Sequence, residues 1–160
     1  VDIIWAPQRE KYIKSVAMSR GKCFLCEVVK QKNDKKNFVL KRGRSVFCIL
    51  NRYPYNAGHL MVAPFSHLSD LDKLPEATFK ELFQLTKEMT RLLSGVLKPD
   101  GFNIGINLGK VAGAGVPGHL HIHIVPRWNG DTNFMPVVAK TKIVGHSLSK
   151  LYNTLSKEIG

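Results

Sequence analysis

Gly118-His119-Leu120-His121-Ile122-His123-Ile124-Val125-Pro126 is the stretch on which the reading of this chain turns. Titratable and apolar residues alternate through it with the period of a strand that has one covered face. Leu120, Ile122 and Ile124 take one face, and His119, His121 and His123 take the other. A rise of ~3.3 Å per residue sets neighbouring imidazole origins about 6–7 Å apart. Such a row can line a groove. Three rings buried without partners are costly, so the row reads as chemistry. The bland alternative is three solvated histidines on an edge strand.

Working outward, a loop from Gly109 to Gly118, with four glycines and a proline, precedes the row and lets backbone approach a ligand. Before it, Phe102, Ile104 and Ile106 alternate with Asn103, Gly105 and Asn107, a further strand. Pro75 fits the first position of a helix, with Glu76 in its first turn. Leu82, Leu85, Met89, Leu92 and Val96 continue it at helical spacing, Phe79 and Phe83 widen the stripe, and Pro99-Asp100-Gly101 closes it. Phe38–Leu40, Val46–Leu50 and His59–Ala63 read as strands, with a turn at Arg42-Gly43-Arg44 and a loop at Asn51–Gly58. Short helices are expected at Glu10–Val16 and Ser147–Lys157, and an irregular stretch from Pro126 to Pro136. The order of elements predicts an α+β fold: a mainly antiparallel sheet of about five strands, one long packed helix and short flanking helices.

The 160 residues, 44% of them hydrophobic, predict one domain spanning 1–160 with a real core. No apolar run reaches the ~18 residues of a membrane span, and Val1-Asp2-Ile3-Ile4-Trp5 lacks the charged start and long apolar run expected of a secretory leader. With three cysteines, two of them in Cys23-x-x-Cys26, a reducing, cytoplasmic setting is expected. A net charge of +12 favours anionic partners. The lysines cluster at Lys30–Lys36 and from Lys140 onward without interleaved aromatics, which argues against a single-strand nucleic-acid surface.

The segment Gly113 to Trp128 resembles the histidine triad (HIT) family, whose motif alternates three histidines with apolar residues. Asn51-Arg52-Tyr53-Pro54-Tyr55-Asn56-Ala57-Gly58-His59-Leu60 is similar to that family's other nucleotide-site segment, with its fourth histidine, and Trp5-Ala6-Pro7 with Arg9 resembles the start of bacterial members, although Gln8 stands where an aromatic is expected. The tail Pro126–Pro136 resembles the branch of diadenosine tetraphosphate (Ap4A) phosphorylases and hydrolases. The resemblance implies a HIT-like fold, a homodimer and a nucleotidyl transferase or hydrolase acting through a covalent nucleotidyl-histidine. By it His121 is the nucleophile, His123 contacts the phosphate and leaving group, His59 helps hold the site, Asn107 contacts phosphate and Asn51 the ribose.

The chemistry is sound on the residues alone. A neutral imidazole is a good nucleophile toward phosphorus, and its ordinary pKa of ~6.5 leaves it mostly deprotonated at neutral pH. Backbone N–H groups around Gly113 and Gly115 can cradle phosphate oxygens, Arg127 can neutralise a polyphosphate, and Trp128 can stack on a base or seal a dimer. No carboxylate lies between Asp100 and Asp131, which excludes an acid–base carboxylate pair or carboxylate-held Mg²⁺ in this stretch. Turn capping remains open for Asn51 and Asn107, and simple flexibility for the glycines. Cys23 and Cys26 with His67 and His119 offer a Cys₂His₂ set for a structural zinc, as in several HIT relatives; two free buried thiols are the alternative. No organic cofactor is expected. Other readings are a nucleoside phosphoramidase of the same family, a nucleotide- or nucleic-acid-binding module without turnover, and an oxygenase, which would want a carboxylate ligand.

Overall fold

The computed structural model describes residues 23–131 and 147–159. The expected helix at Glu10–Val16, the Trp5-Ala6-Pro7 start with Gln8 and Arg9, the tail from Thr132 to Pro136, and the lysines from Lys140 to His146 lie outside the described residues. Five antiparallel strands form one sheet in the order β1-β2-β3-β5-β4: β1 Val39–Arg42, β2 Val46–Leu50, β3 Leu60–Pro64, β4 Gly101–Ile106 and β5 Ile122–Arg127. Every residue of β2 and β3 is buried, because both faces of these strands are covered. That is why they read as unbroken apolar runs rather than alternation. Cys48, Leu50, Leu60, Val62, Ile122 and Ile124 face the long helix α3, Glu76–Leu97, and the C-terminal helix α4, Leu148–Ile159. Phe47, Ile49, Met61 and Ala63 face Leu25 and Val28 of helix α1, Phe24–Gln31. A one-turn helix α2, Asp34–Asn37, follows, capped by the Asn33 side chain, which accepts from Lys36 N–H.

The turn joining β1 to β2 is held from a distance. Both oxygens of the Glu81 carboxylate, on α3, accept backbone N–H bonds there, from Arg44 at 2.6 Å and Ser45 at 2.9 Å. A Cβ on Gly43 would sit 2.2 Å from a Glu81 oxygen, so glycine is what lets the carboxylate in.

Three expectations shift. Pro75 is extended (φ −57°, ψ 140°) and caps α3 from outside, its carbonyl accepting from Phe79 N–H. Phe79 and Phe83 do not join the core; they are 43% and 44% exposed and lie against each other, ring centroids 4.8 Å apart. The strand of the histidine row begins only at Ile122, because both ladders that hold it end there, at Val62 and Ile106. Leu120 N–H instead donates to Leu68 O at 2.7 Å.

Candidate functional site

His59 and the row from His119 to His123 meet where β3 and β5 run side by side. His123 is registered with Met61 on β3 and with Gly105 on β4. His59 enters from the head of β3, delivered by a turn in which its N–H donates to Asn56 O at 3.2 Å. Gly58, at φ +78°, supplies the left-handed residue that turn requires, and a Cβ there would meet Leu97 at 2.6 Å.

Backbone partners fix the proton on His59, His119 and His121, and His59 in turn fixes it on His123. The Nδ1 of His121 lies 2.8 Å from the carbonyl of His119. A carbonyl only accepts, so Nδ1 carries the hydrogen and the neutral ring keeps its lone pair on Nε2. His121 is buried, and burial lowers its pKa, favouring that neutral form. His59 is arranged the other way round. Tyr55 N–H donates to its Nδ1 at 3.1 Å, while the Asn51 amide nitrogen lies 3.4 Å from Nδ1 and 3.5 Å from Nε2 and favours neither. The proton of neutral His59 therefore sits on Nε2 and is donated to Nδ1 of His123, 2.9 Å away. His123, accepting at Nδ1, bears its own hydrogen on Nε2. The ring centroids of His121 and His123 are 4.7 Å apart. The pair thus sets a lone-pair nitrogen beside a proton-bearing one.

His119 is the third member and faces elsewhere. Its Nε2 donates to Pro64 O at 2.8 Å, leaving Nδ1 as the acceptor, 3.3 Å from Cys23 Sγ and 3.5 Å from Cys26 Sγ. His67 Nδ1 lies 3.3 Å from Cys26 Sγ. One ligand atom from each of Cys23, Cys26, His67 and His119 falls within 4.8 Å of all the others. Gly118 lets His67 in, since a Cβ there would meet its Nε2 at 3.1 Å. Burial and the neighbouring Cys23 thiol push the Cys26 thiol up to about 11. Two soft thiols and two imidazoles, one of them oriented by a carbonyl on its far nitrogen, fit the donor chemistry of zinc.

The remaining predicted residues divide. Asn51 braces the loop: its carbonyl oxygen accepts from Tyr53 N–H at 2.9 Å while its amide meets His59. Asn107, at the end of β4, donates to Gly113 O at 3.4 Å and pins the glycine loop. Within that loop the N–H groups of Gly113 and Ala114 donate to Lys110 O and Gly109 O, while Gly115 is half-buried. Arg127 is engaged by protein: it donates to both oxygens of Asp131, at 2.5 and 2.8 Å, and to Asn103 at 2.6 Å. Trp128 is half-buried, and its N–H donates to Asp131 at 3.3 Å. Two residues missed as site elements are Tyr55, whose ring stacks on His59 with centroids 4.7 Å apart, and the buried Asn56. The only sequence signal for Asn56 is its place two residues before Gly58, which marks a turn.

A family profile described as "HIT domain" matches residues 31–130. The chain is 35% identical over 161 residues to a Mycobacterium tuberculosis protein named AP-4-A phosphorylase, covering 97% of this chain and 83% of that one. It is 31% identical over 93 residues, 58% of this chain and 50% of the other, to a Schizosaccharomyces pombe protein named bis(5'-nucleosyl)-tetraphosphatase (asymmetrical). Among solved structures, a zinc-bound histidine triad family protein from Mycobacterium smegmatis matches with a TM-score of 0.69 at 28% identity, covering 85% of this chain and 91% of that one.

Proposed function

The chain belongs to the HIT domain family, and on that premise we propose that it is a nucleotidyl transferase that cleaves Ap4A or a related nucleoside polyphosphate, with 1–160 as one catalytic domain. The observation that carries this is the pairing of an Nε2 lone pair on His121 with an Nε2–H on His123. Nε2 of His121 attacks a substrate phosphorus; the N–P bond forms as the P–O bond to the leaving nucleotide breaks. The Nε2–H of His123 donates a hydrogen bond to the departing oxygen and stabilises the charge that develops there. An acceptor, water or phosphate, then attacks the same phosphorus and loses its proton to solvent; the N–P bond breaks and its electron pair returns to Nε2 of His121. The 35% identical relative favours phosphate as acceptor, since its name is that of a phosphorylase. Incubation with Ap4A tests both points. ADP plus ATP formed only with added phosphate is phosphorolysis; AMP plus ATP, or two ADP, without phosphate is hydrolysis. No cleavage under either condition removes the proposal.

Cys23, Cys26, His67 and His119 would hold zinc on this reading. When bound, the ion would supply a structural clamp tying α1 to the residue whose carbonyl orients His121. The same reading makes the chain a homodimer. In support, β4 is an outer strand of the sheet, its Ile104 is 48% exposed on the face shared with Ile124, and α3 leaves Phe79 and Phe83 exposed. Among the described residues no helix is long and apolar enough to cross a membrane.

A further inference from the structure

Asn56 is 5% exposed and sits between Tyr55, whose N–H fixes Nδ1 of His59, and the turn that delivers His59 itself. One Asn56 amide nitrogen donates twice, to Pro126 O at 2.9 Å and to Asp131 Oδ2 at 2.7 Å. Both acceptors belong to the far end of β5 or the turn after it, so a single side chain ties the 51–58 loop to the strand that carries His123. Arg127 holds the Asp131 carboxyl well below the usual carboxylate range, so it stays an ionised acceptor. Cutting this tie frees the loop to move relative to β5, and the bond most exposed to such movement is Tyr55 N–H to His59 Nδ1. Loosening that bond weakens the constraint that makes His59 Nδ1 the accepting nitrogen, and the Asn51 amide, 3.4 Å from Nδ1 and 3.5 Å from Nε2, does not choose between the two. His123 Nδ1 then loses its fixed donor, and its own proton is no longer held on Nε2.

We infer that Asn56, anchored by Asp131, is a positioning residue: it keeps His59 in the Nε2–H form and through it keeps the proton of His123 on Nε2, toward the leaving group. Arg127, read from the sequence as a substrate contact, serves here to hold Asp131. The inference rests on His123 as hydrogen-bond donor to the departing oxygen in the proposed reaction, but its readout does not need turnover. Imidazole ¹⁵N chemical shifts distinguish a protonated ring nitrogen from an accepting one. In the native protein at neutral pH, His59 and His123 should each show an accepting Nδ1 and a protonated Nε2. In Asn56→Ala, both rings should move toward mixed tautomers. With Ap4A, kcat should fall roughly 10- to 100-fold while KM stays within about twofold. Asn56→Ser keeps a donor for one of the two acceptors and should lie between.

A native spectrum with His59 protonated on Nδ1 overturns the inference without any variant, which covers the case in which neither variant folds. So do unchanged tautomers in a folded Asn56→Ala, even with kcat reduced, because that pattern marks a purely structural role. If Ap4A is never cleaved yet the tautomers shift as expected, the positioning stands and the proposed reaction fails instead.

Discussion

His121 takes its orientation from His119: the His119 carbonyl lies 2.8 Å from His121 Nδ1, while the His119 ring turns to the cysteine pair. Whatever steadies His119 therefore steadies the candidate nucleophile. Metal content should be close to one zinc per chain. Replacement by Co²⁺ should give the intense visible bands of a tetrahedral thiolate site. Stripping the metal should lower Tm by several degrees, about 2–4 °C for each kcal/mol lost in a chain of this size, and lower kcat with it. His67→Ala should weaken metal binding and leave His121 chemically intact. A stripped protein with unchanged Tm, or a Co²⁺ form without those bands, would show that the four side chains do not act as a ligand set.

The division of labour between His121 and His123 is open to direct trial. His121→Ala should lose turnover and never yield an adduct. His123→Ala should lose roughly 10²–10³ in rate, the usual worth of one preorganised donor to a developing oxyanion, while still allowing a nucleotidyl adduct to be trapped on His121. Samples of the native protein denatured at alkaline pH, where the P–N bond persists, then digested and weighed, should carry one nucleoside monophosphate on the peptide holding His121. An active native protein with no such adduct, or full turnover in His121→Ala, counts against the covalent route.

How far the sequence could be read depended on whether a residue's partner lies near it in the chain. The central strands were legible, Val46–Leu50 as read and Leu60–Pro64 one residue along from the His59–Ala63 expected, because strands covered on both faces leave an unbroken apolar run. The Cys/His group that could hold a metal was legible through the spacing of Cys23 and Cys26, to which the sequence reading joined His67 and His119. Phe79 and Phe83 misled because helical spacing records that a stripe is wide, not where the sheet beneath it ends. The strand start at Ile122 was invisible because it is set by where β3 and β4 stop. Asn56 and Asp131 lie 75 residues apart, and no local pattern links an amide in one turn to a carboxylate in another.

The Glu81 clasp on the β1–β2 turn predicts strong coupling between two positions 38 apart in sequence. Glu81→Ala should cost about 1.5–3 kcal/mol, as expected for hydrogen bonds to a charged group. Gly43→Ala, whose Cβ displaces the same carboxylate, should cost a similar amount alone and almost nothing added to Glu81→Ala. A double-mutant cycle from urea melts reads the coupling. Additive losses would mean that Gly43 is required for some reason other than room for Glu81.

Association should be visible by light scattering. The native chain is expected to run as a dimer, and Ile104→Lys or Phe83→Glu, each placing a charge on an exposed apolar position, should shift it toward monomer with little loss of monomer fold. A native monomer at tens of micromolar, or a dimer indifferent to both substitutions, would take β4 and this side of α3 out of the interface.

Asp131 should make the fold acid-sensitive. Arg127 donates to both its oxygens, and Trp128 N–H and the Asn56 amide add to that, so its folded pKa is well below the usual range. In the unfolded chain the group titrates at about 3.9. A depressed folded value means the unfolded chain takes up the proton first as pH falls. The stabilisation is therefore complete above the unfolded value and drains away below it, toward the folded one. Urea midpoints should drop between about pH 5 and pH 3 in the native protein. Asp131→Asn has no proton to take up at this position, so it should start from a lower midpoint and lose less over the same window. Equal acid slopes in the two proteins would assign the sensitivity to other carboxylates.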